Sequence, residues 1–555
     1  MKRNVILLLG AVTLSGMMGS SCTNPNKMIE AASGIEVKCD PAVLEARADV
    51  IDARYTITFP EKYFHPKALV EITPVLIYDG GEEAAEPKWL QGENVTENHT
   101  VIPKTGGNAT QTVQFAYKPG MESAQLLLRA TLHYKGKTTP FLAPFKLADG
   151  TVVTYQLVDT DGVTVLAPDA YQKVYTETRE AQIKYVINSA VVRQSELSKT
   201  DIKALESFLA EAEKDTRKQP KGTDIIAYAS PDGPLELNTG LSSNRGQTAK
   251  DALAKATKKI KDPGAVNVSS IAEDWDGFRE LVSGANVPDK ELILRVLSMY
   301  TDPIVREREI RSMSKVYQIL ADKVLPELRR ARLVAQVDVS NYTDAELIAL
   351  ANQNNLDALD VEALLYVATL VSDNATKLNV YGKAAQKFND WRAYNNLACV
   401  YLSEARTADA KAALANITEE NDIVKNNNGV VALREGRIDN AERLLIGVAT
   451  PQARENMGAI AIIKGNYADA VTKLNGTGSL NEALAGVLVK NYDKASNILK
   501  NVDSAKAHYL NAVIAARNGN ASQVASELQS AYAKDASLKA RAQKDVEFAK
   551  YKDRI

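Results

Sequence analysis

The sequence predicts a multidomain chain: an N-terminal antiparallel β-sandwich, a central α+β domain of β-α-β-α-β order with an insertion, and a C-terminal all-α solenoid. Three patterns carry this prediction. Apolar residues alternate with period two from about Val37 to Thr154, strand and helix periodicities interleave from Tyr171 to Val339, and small residues recur about every 30 residues beyond Asn341. A chain of 555 residues is also too long for one core.

Composition narrows the function. Lys and Arg number 67 against 69 Asp and Glu, a net charge of -2 that provides no field for gathering phosphates, so nucleic acid is not an expected partner. Four histidines and three cysteines supply little for a zinc site or an iron–sulfur cluster, and no metal or cofactor is expected.

The first segment reads as an address. Lys2 and Arg3 precede the apolar run Val5-Ile6-Leu7-Leu8-Leu9, and Gly19-Ser20-Ser21 lead into Cys22. This is an export signal over residues 1–21, too short to remain as a membrane span. A cysteine placed after small residues at the end of such a signal resembles the lipobox of bacterial lipoproteins, in the degenerate form familiar from Bacteroidota. Gly19 stands where that family prefers Leu. The resemblance implies that the Cys22 thiol is acylated and anchors the chain in outer-membrane lipid. Residues 22–36 are then a tether, and the lack of an acidic run after Cys22 favours the periplasm-facing leaflet.

Residues 37–160 are assigned to the β-sandwich. Arg54–Phe59, Leu69–Ile72, Thr112–Tyr117 and Leu128–Tyr134 each alternate, which turns one face of a strand to a core. Asp79-Gly80-Gly81, Gly106-Gly107, Gly120 and Gly136 mark the turns. Cys39 and Cys399 lie far apart in the chain and read as isolated small hydrophobes.

The central domain is assigned to 171–339. Ile183–Ile187 reads as a strand, Ile202, Leu205, Phe208 and Leu209 as one helical face, and Asp224–Ala229 as a second strand. That strand enters the turn Ser230-Pro231-Asp232-Gly233, a helix follows from about Asn238 to Ala256, and Arg332–Val339 is the closing strand. Asn238-Thr239-Gly240-Leu241-Ser242-Ser243-Asn244-Arg245 resembles the N-x-x-L-S-x-x-R signature of the OmpA C-terminal-like, peptidoglycan-binding domain. The resemblance implies that Arg245 forks onto a carboxylate of the wall-peptide diaminopimelate and that Asn238 holds the loop, with Leu241 and Ser242 completing the motif. Ser230 stands where that family has a ligand-binding Asp, and Asp232, two residues on, is the substitute anion. The Glu/Arg-rich stretches at 273–280, 306–309 and 326–330 resemble the enlarged form of this domain in Bacteroidota outer-membrane proteins and read as solvated or structural ion pairs.

Residues 341–555 are assigned to the solenoid. Ala398, Gly429 and Gly458 form one rung of small residues, Ala405, Gly436 and Gly465 a second, and Ala410, Ala441 and Ala470 a third. The ladder resembles degenerate tetratricopeptide repeats, whose small residues let paired helices approach closely and whose concave face binds proteins.

These readings combine into a non-catalytic, lipid-anchored scaffold that links the outer membrane to peptidoglycan and holds envelope proteins on its repeats. The alternative is an adaptor subunit of an outer-membrane assembly, transport or secretion complex that does not bind peptidoglycan. No nucleophile elbow, P-loop, HExxH or His-centred triad stands out, so an enzyme is not expected.

Overall fold

A computed structural model of the chain describes residues 24–555, and Cys22 with the export signal lies outside them. The chain divides into two compact units. One takes in the chain up to Ala167 together with Asn389–Ile555, and the other is Pro168–Phe388.

In the first unit eleven strands between Glu36 and Val152 make a sheet that folds over its own core. The alternation expected from the sequence is present: Ile51, Ala53, Tyr55, Ile57 and Phe59 point inward from Val50–Phe59, as do Leu126, Leu128, Ala130 and Leu132 from Gln125–Tyr134. Val50–Phe59 pairs with Gly107–Ala116, and Leu69–Tyr78 with Gln125–Tyr134, both antiparallel. The short strand Val43–Arg47 joins the two layers, pairing antiparallel with Val50–Phe59 and parallel with Phe145–Val152. Lys88–Gly92 and Thr100–Ile102 are parallel as well. The expected antiparallel sandwich is therefore a mixed, mostly antiparallel sheet with two parallel pairs.

Five helical hairpins complete this unit, starting with Trp391–Ser403 and Thr407–Leu414 and ending with Ala505–Arg517 and Ala521–Lys534. The region is a tetratricopeptide-like array. The first helix of each hairpin opens on a capping side chain: Asp390, Asn421, Thr450, Ser479 and Ser504 each accept a backbone N–H of the first turn. The rungs of small residues have distinct causes. Ala398, Gly429 and Gly458 lie where helices cross, and a Cβ on Gly429 would stand 2.7 Å from Leu445. Ala405, Gly436 and Gly465 take positive φ at the turn between paired helices. Ala410, Ala441 and Ala470 are fully buried in the second helices.

The sheet and the last three hairpins share one hydrophobic cluster that runs from Leu44, Ile51 and Leu126 to Ile462, Leu484, Tyr509 and Phe548. Arg47 lies 4.8 Å over the ring of Tyr467, and Thr154 donates to Glu547 at 2.8 Å. Residues 37–160 and the hairpins thus lie in one compact unit. This corrects the assignment of 341–555 to a domain of its own.

The second unit holds a four-stranded sheet in the order Val174–Lys184, Arg330–Ser340, Lys218–Tyr228, Ala265–Ile271. The last two are parallel, joined across the helix Leu235–Ala256, and the other pairings are antiparallel. Ile202, Leu205 and Leu209 from Thr200–Lys214, with Ala249 and Leu253 from Leu235–Ala256, pack on Ile183, Ile225, Leu333 and Val337. The expected β-α-β-α-β order gains a strand, Ala265–Ile271, and the first strand ends at Lys184 rather than Ile187. Five short helices between Trp275 and Leu328 form the insertion, around Trp275, Phe278, Ile293 and Leu320.

The helices Asp344–Asn352, Val361–Leu370 and Asn374–Phe388 belong to this second unit. Tyr171 stacks on Tyr366 at 4.8 Å, Lys173 pairs with Asp344 at 2.8 Å, and Arg217 lies 4.4 Å over Tyr342. The helical region expected to be continuous from residue 341 is therefore divided at Phe388.

Gly429→Ala should cost about 1–3 kcal/mol through overpacking against Leu445. Gly382→Ala, inside a helix with open space at its Cβ, should be neutral or stabilising by up to about 1 kcal/mol. Urea denaturation of both variants checks the contrast.

Candidate functional site: an asparagine ladder on the helical repeats

The loop of the central sheet that resembles a wall-peptide site is assembled, and its polar groups are satisfied within the chain. Asn238 is buried and donates to the carbonyls of Ser230 at 3.2 Å and Gly233 at 2.9 Å, so it holds the loop. The Ser230 hydroxyl donates to Asp232 at 2.6 Å, and the other Asp232 oxygen accepts from Arg329 at 2.8 Å. Ser242 donates to the carbonyl of Thr239, and Leu241 is half-buried. Arg245 has no exposed surface. Its Nε donates to the carbonyl of Ser189 at 3.0 Å, Nη1 to Tyr228 at 3.0 Å and Nη2 to Val186 at 3.2 Å. Burial pushes its pKa down to about 10. Ser230, Asp232 and Asn238 are thus brought together with Arg329, a residue the sequence offered only as one of many helix charges. The Arg245 fork is spent on backbone carbonyls, and reaching a ligand carboxylate would require giving those bonds up.

A second constellation, invisible in the motif search, lies on the hairpins. Residues 159–167 leave the sheet region as an extended strap across the first helices of four hairpins, and each contributes an asparagine. Asn481 accepts the Asp159 N–H at 2.7 Å and returns its amide to the Asp159 carbonyl at 2.8 Å. Asn456 does the same for Val163 at 2.7 and 2.9 Å, Asn427 for Val165 at 2.8 and 2.8 Å, and Asn396 for Ala167 at 2.7 and 3.0 Å. A carboxamide offers the donor and acceptor of a peptide group, so each asparagine replaces one partner residue of a β-ladder. The strap runs antiparallel to the order of the hairpins, and its bonded residues alternate because every second main-chain pair of an extended strand faces one side.

A second row supports the first. Asn395 and Asn426 donate to the carbonyls of Val165 and Val163 and accept from Asn427 and Asn456, which links neighbouring hairpins. All six asparagines are at most 7% exposed. Cys399 donates to the Val165 carbonyl at 3.4 Å, and burial pushes its thiol up to about 12. Cys399 and Cys39 are both free thiols. Between Val163 and Asp159 the step is four residues rather than two. The surplus forms a turn in which Asp161 N–H donates to Asp159 at 2.9 Å and Gly162 takes a φ of +70°.

The four gripping asparagines each stand two residues before a small rung residue: Asn396 before Ala398, Asn427 before Gly429, Asn456 before Gly458, Asn481 before Ala483. That register was available in the sequence. Among the described residues no group of three or more His, Cys, Asp or Glu could hold a metal ion, and no helix is long and apolar enough to cross a membrane.

No family model and no curated protein matches the chain. Solved structures with some likeness include the APC/C hetero-tetramer Cut9-Hcn1, at 13% identity and a TM-score of 0.32, over 59% of this chain and 66% of that one. Yeast Tom70 matches at 12% identity and a TM-score of 0.26, over 63% of this chain and 80% of its own. Salmonella alpha-2-macroglobulin reacted with methylamine matches at 10% identity and a TM-score of 0.12, over 78% of this chain and 27% of its own.

Asn427→Leu leaves the half-buried Val165 N–H without its acceptor and should cost about 1–3 kcal/mol. Hydrogen exchange at Val165 should accelerate along with the loss in stability. A variant as stable as the wild type, with Val165 still protected, would show that the strap is held by other contacts.

Proposed function

We propose that the protein is a non-catalytic adaptor of the cell envelope, anchored to the outer membrane through acylated Cys22, that binds partner proteins with its helical repeats. The observation that carries this reading is the asparagine ladder, since the repeat face already grips a polypeptide by its main chain at four successive hairpins. Acyl chains would hold the protein at the membrane, each buried methylene adding about 0.8 kcal/mol.

The central domain is an OmpA-like module in this proposal, supported by the strand order and by Asn238 and Arg245 at their motif positions. Its role here is that of a rigid adaptor rather than a wall ligand site. Support for that choice comes from Asp232, which has Arg329 at 2.8 Å where an ammonium of the wall peptide would sit, and from Arg245, whose donors are on carbonyls.

Two measurements test the proposal. Sedimentation of the full chain with purified sacculi should leave the protein in the supernatant, while a cross-linked envelope pull-down should recover specific proteins. Sedimentation that is lost on Asp232→Ala would replace this reading with a wall-linking one. Cys22→Ser should move the protein from the membrane to the soluble periplasmic fraction, and retention of that variant would remove the lipid anchor from the proposal.

A further inference from the structure

The ladder holds the strap almost without reference to its side chains. Val163 is 36% and Leu166 52% exposed, so neither is gripped. Space is tightest at Gly162, where a Cβ would stand 2.9 Å from Val430, and at Ala167, which is buried, while Thr164, bonded through its side chain to Cys399, and Val165 are half-buried. Polar atoms carry the rest. Beyond the four paired asparagines, Arg434 donates to the carbonyl of Asp161 at 2.6 Å and Lys506 to that of Val158 at 3.1 Å.

Packing of the hairpins does not call for asparagine at these positions. In the fifth hairpin the equivalent place, two residues before Ala512, belongs to Leu510, which is fully buried. Where no strap crosses, an apolar residue fills the position; where the strap crosses, a buried carboxamide does. Burying such groups is unfavourable unless both donor and acceptor are met, so the ladder is specific for an object with regularly spaced N–H and C=O pairs and little else.

We infer that the asparagine ladder is a receptor site for extended segments of other polypeptides, tolerant of their sequence, which residues 159–167 fill as a built-in stand-in. The inference rests on the protein-binding reading above and names its ligand class. An incoming segment would lie antiparallel to the order of the hairpins, with a four-residue step and turn between Asn481 and Asn456 and alternate residues on Asn456, Asn427 and Asn396. In the wild-type chain it competes with a tethered strap whose effective concentration is on the order of millimolar, so occupancy by an outside segment requires the strap to yield.

The test weakens the strap and leaves the ladder intact. Val165→Pro with Ala167→Pro removes the N–H groups that Asn427 and Asn396 accept, at positions where an extended backbone tolerates proline. A fluorescent peptide of residues 158–168 should bind the full-length double-proline chain at least about tenfold more tightly than the wild type. A peptide with the same composition in scrambled order, keeping its glycine in place, should bind within about threefold of it. N-methylation at the Val163 and Val165 positions of the peptide, or Asn427→Leu in the protein, should abolish binding.

A folded double-proline chain that ignores the native peptide would overturn the inference, and so would one that takes the native but not the scrambled peptide. If the prolines prevent folding, hydrogen exchange of the wild type decides. Excess peptide should speed exchange at Val163, Val165 and Ala167, and unchanged rates would count against the site. Peptide binding without envelope partners in the pull-down would leave the site standing and remove the adaptor reading, whereas partners without peptide binding would do the reverse.

Discussion

The structure of the first unit depends on one interaction, the pairing of a side-chain carboxamide with both polar groups of a single strap residue. Six asparagines are taken out of water on the repeat helices, and each would be destabilising alone, by about 1–3 kcal/mol for every unmet donor or acceptor. The strap supplies the missing partners in register, and the asparagines supply its partners in turn. Each half meets the polar groups of the other, so the path of residues 159–167 follows the spacing of the hairpins. The apolar cluster shared by the sheet and the last hairpins then extends this interlock.

The same economy of polar groups governs the central sheet. Arg245 is as deeply buried as any leucine of the core, and the carbonyls of Val186, Ser189 and Tyr228 meet its donors. Burial weakens its hold on the proton, and Tyr185 and Asp232 offset part of that. Asp274 is likewise covered, paired with Arg330 at 2.8 Å while it caps the helix Trp275–Gly284. Charges of the Glu/Arg-rich stretches are here parts of the frame.

Much of this was legible from residues alone, for local reasons. Period two in Arg54–Phe59 and Leu128–Tyr134 reports burial on one side of a strand, and the Gly/Ala rungs report helix crossings and turns that admit nothing larger. The strand Ala265–Ile271 escaped because six of its seven residues are exposed, leaving no alternation to read. The division at Phe388 escaped because it rests on contacts such as Tyr171 with Tyr366, distant in sequence and chemically ordinary. The ladder was the costlier miss. Asparagine inside a helix ordinarily signals a solvated face, and only its constant offset from the small rung residues marks it as buried.

One consequence of the ladder concerns the chain's path. The chain leaves the first unit at Ala167, which Asn396 holds, and returns at Asn389, two residues before the helix that carries Asn396. Both crossings therefore meet the first unit at the same hairpin. With the strap seated, residues 163–167 are an extended strand bonded at alternate residues. Unseated, it would become a flexible linker that begins after the buried turn Thr154–Leu157 and Val158. Occupancy of the ladder thus decides whether these residues are part of the fold or part of a tether, and each carboxamide that loses its strap residue moves the balance in the same direction.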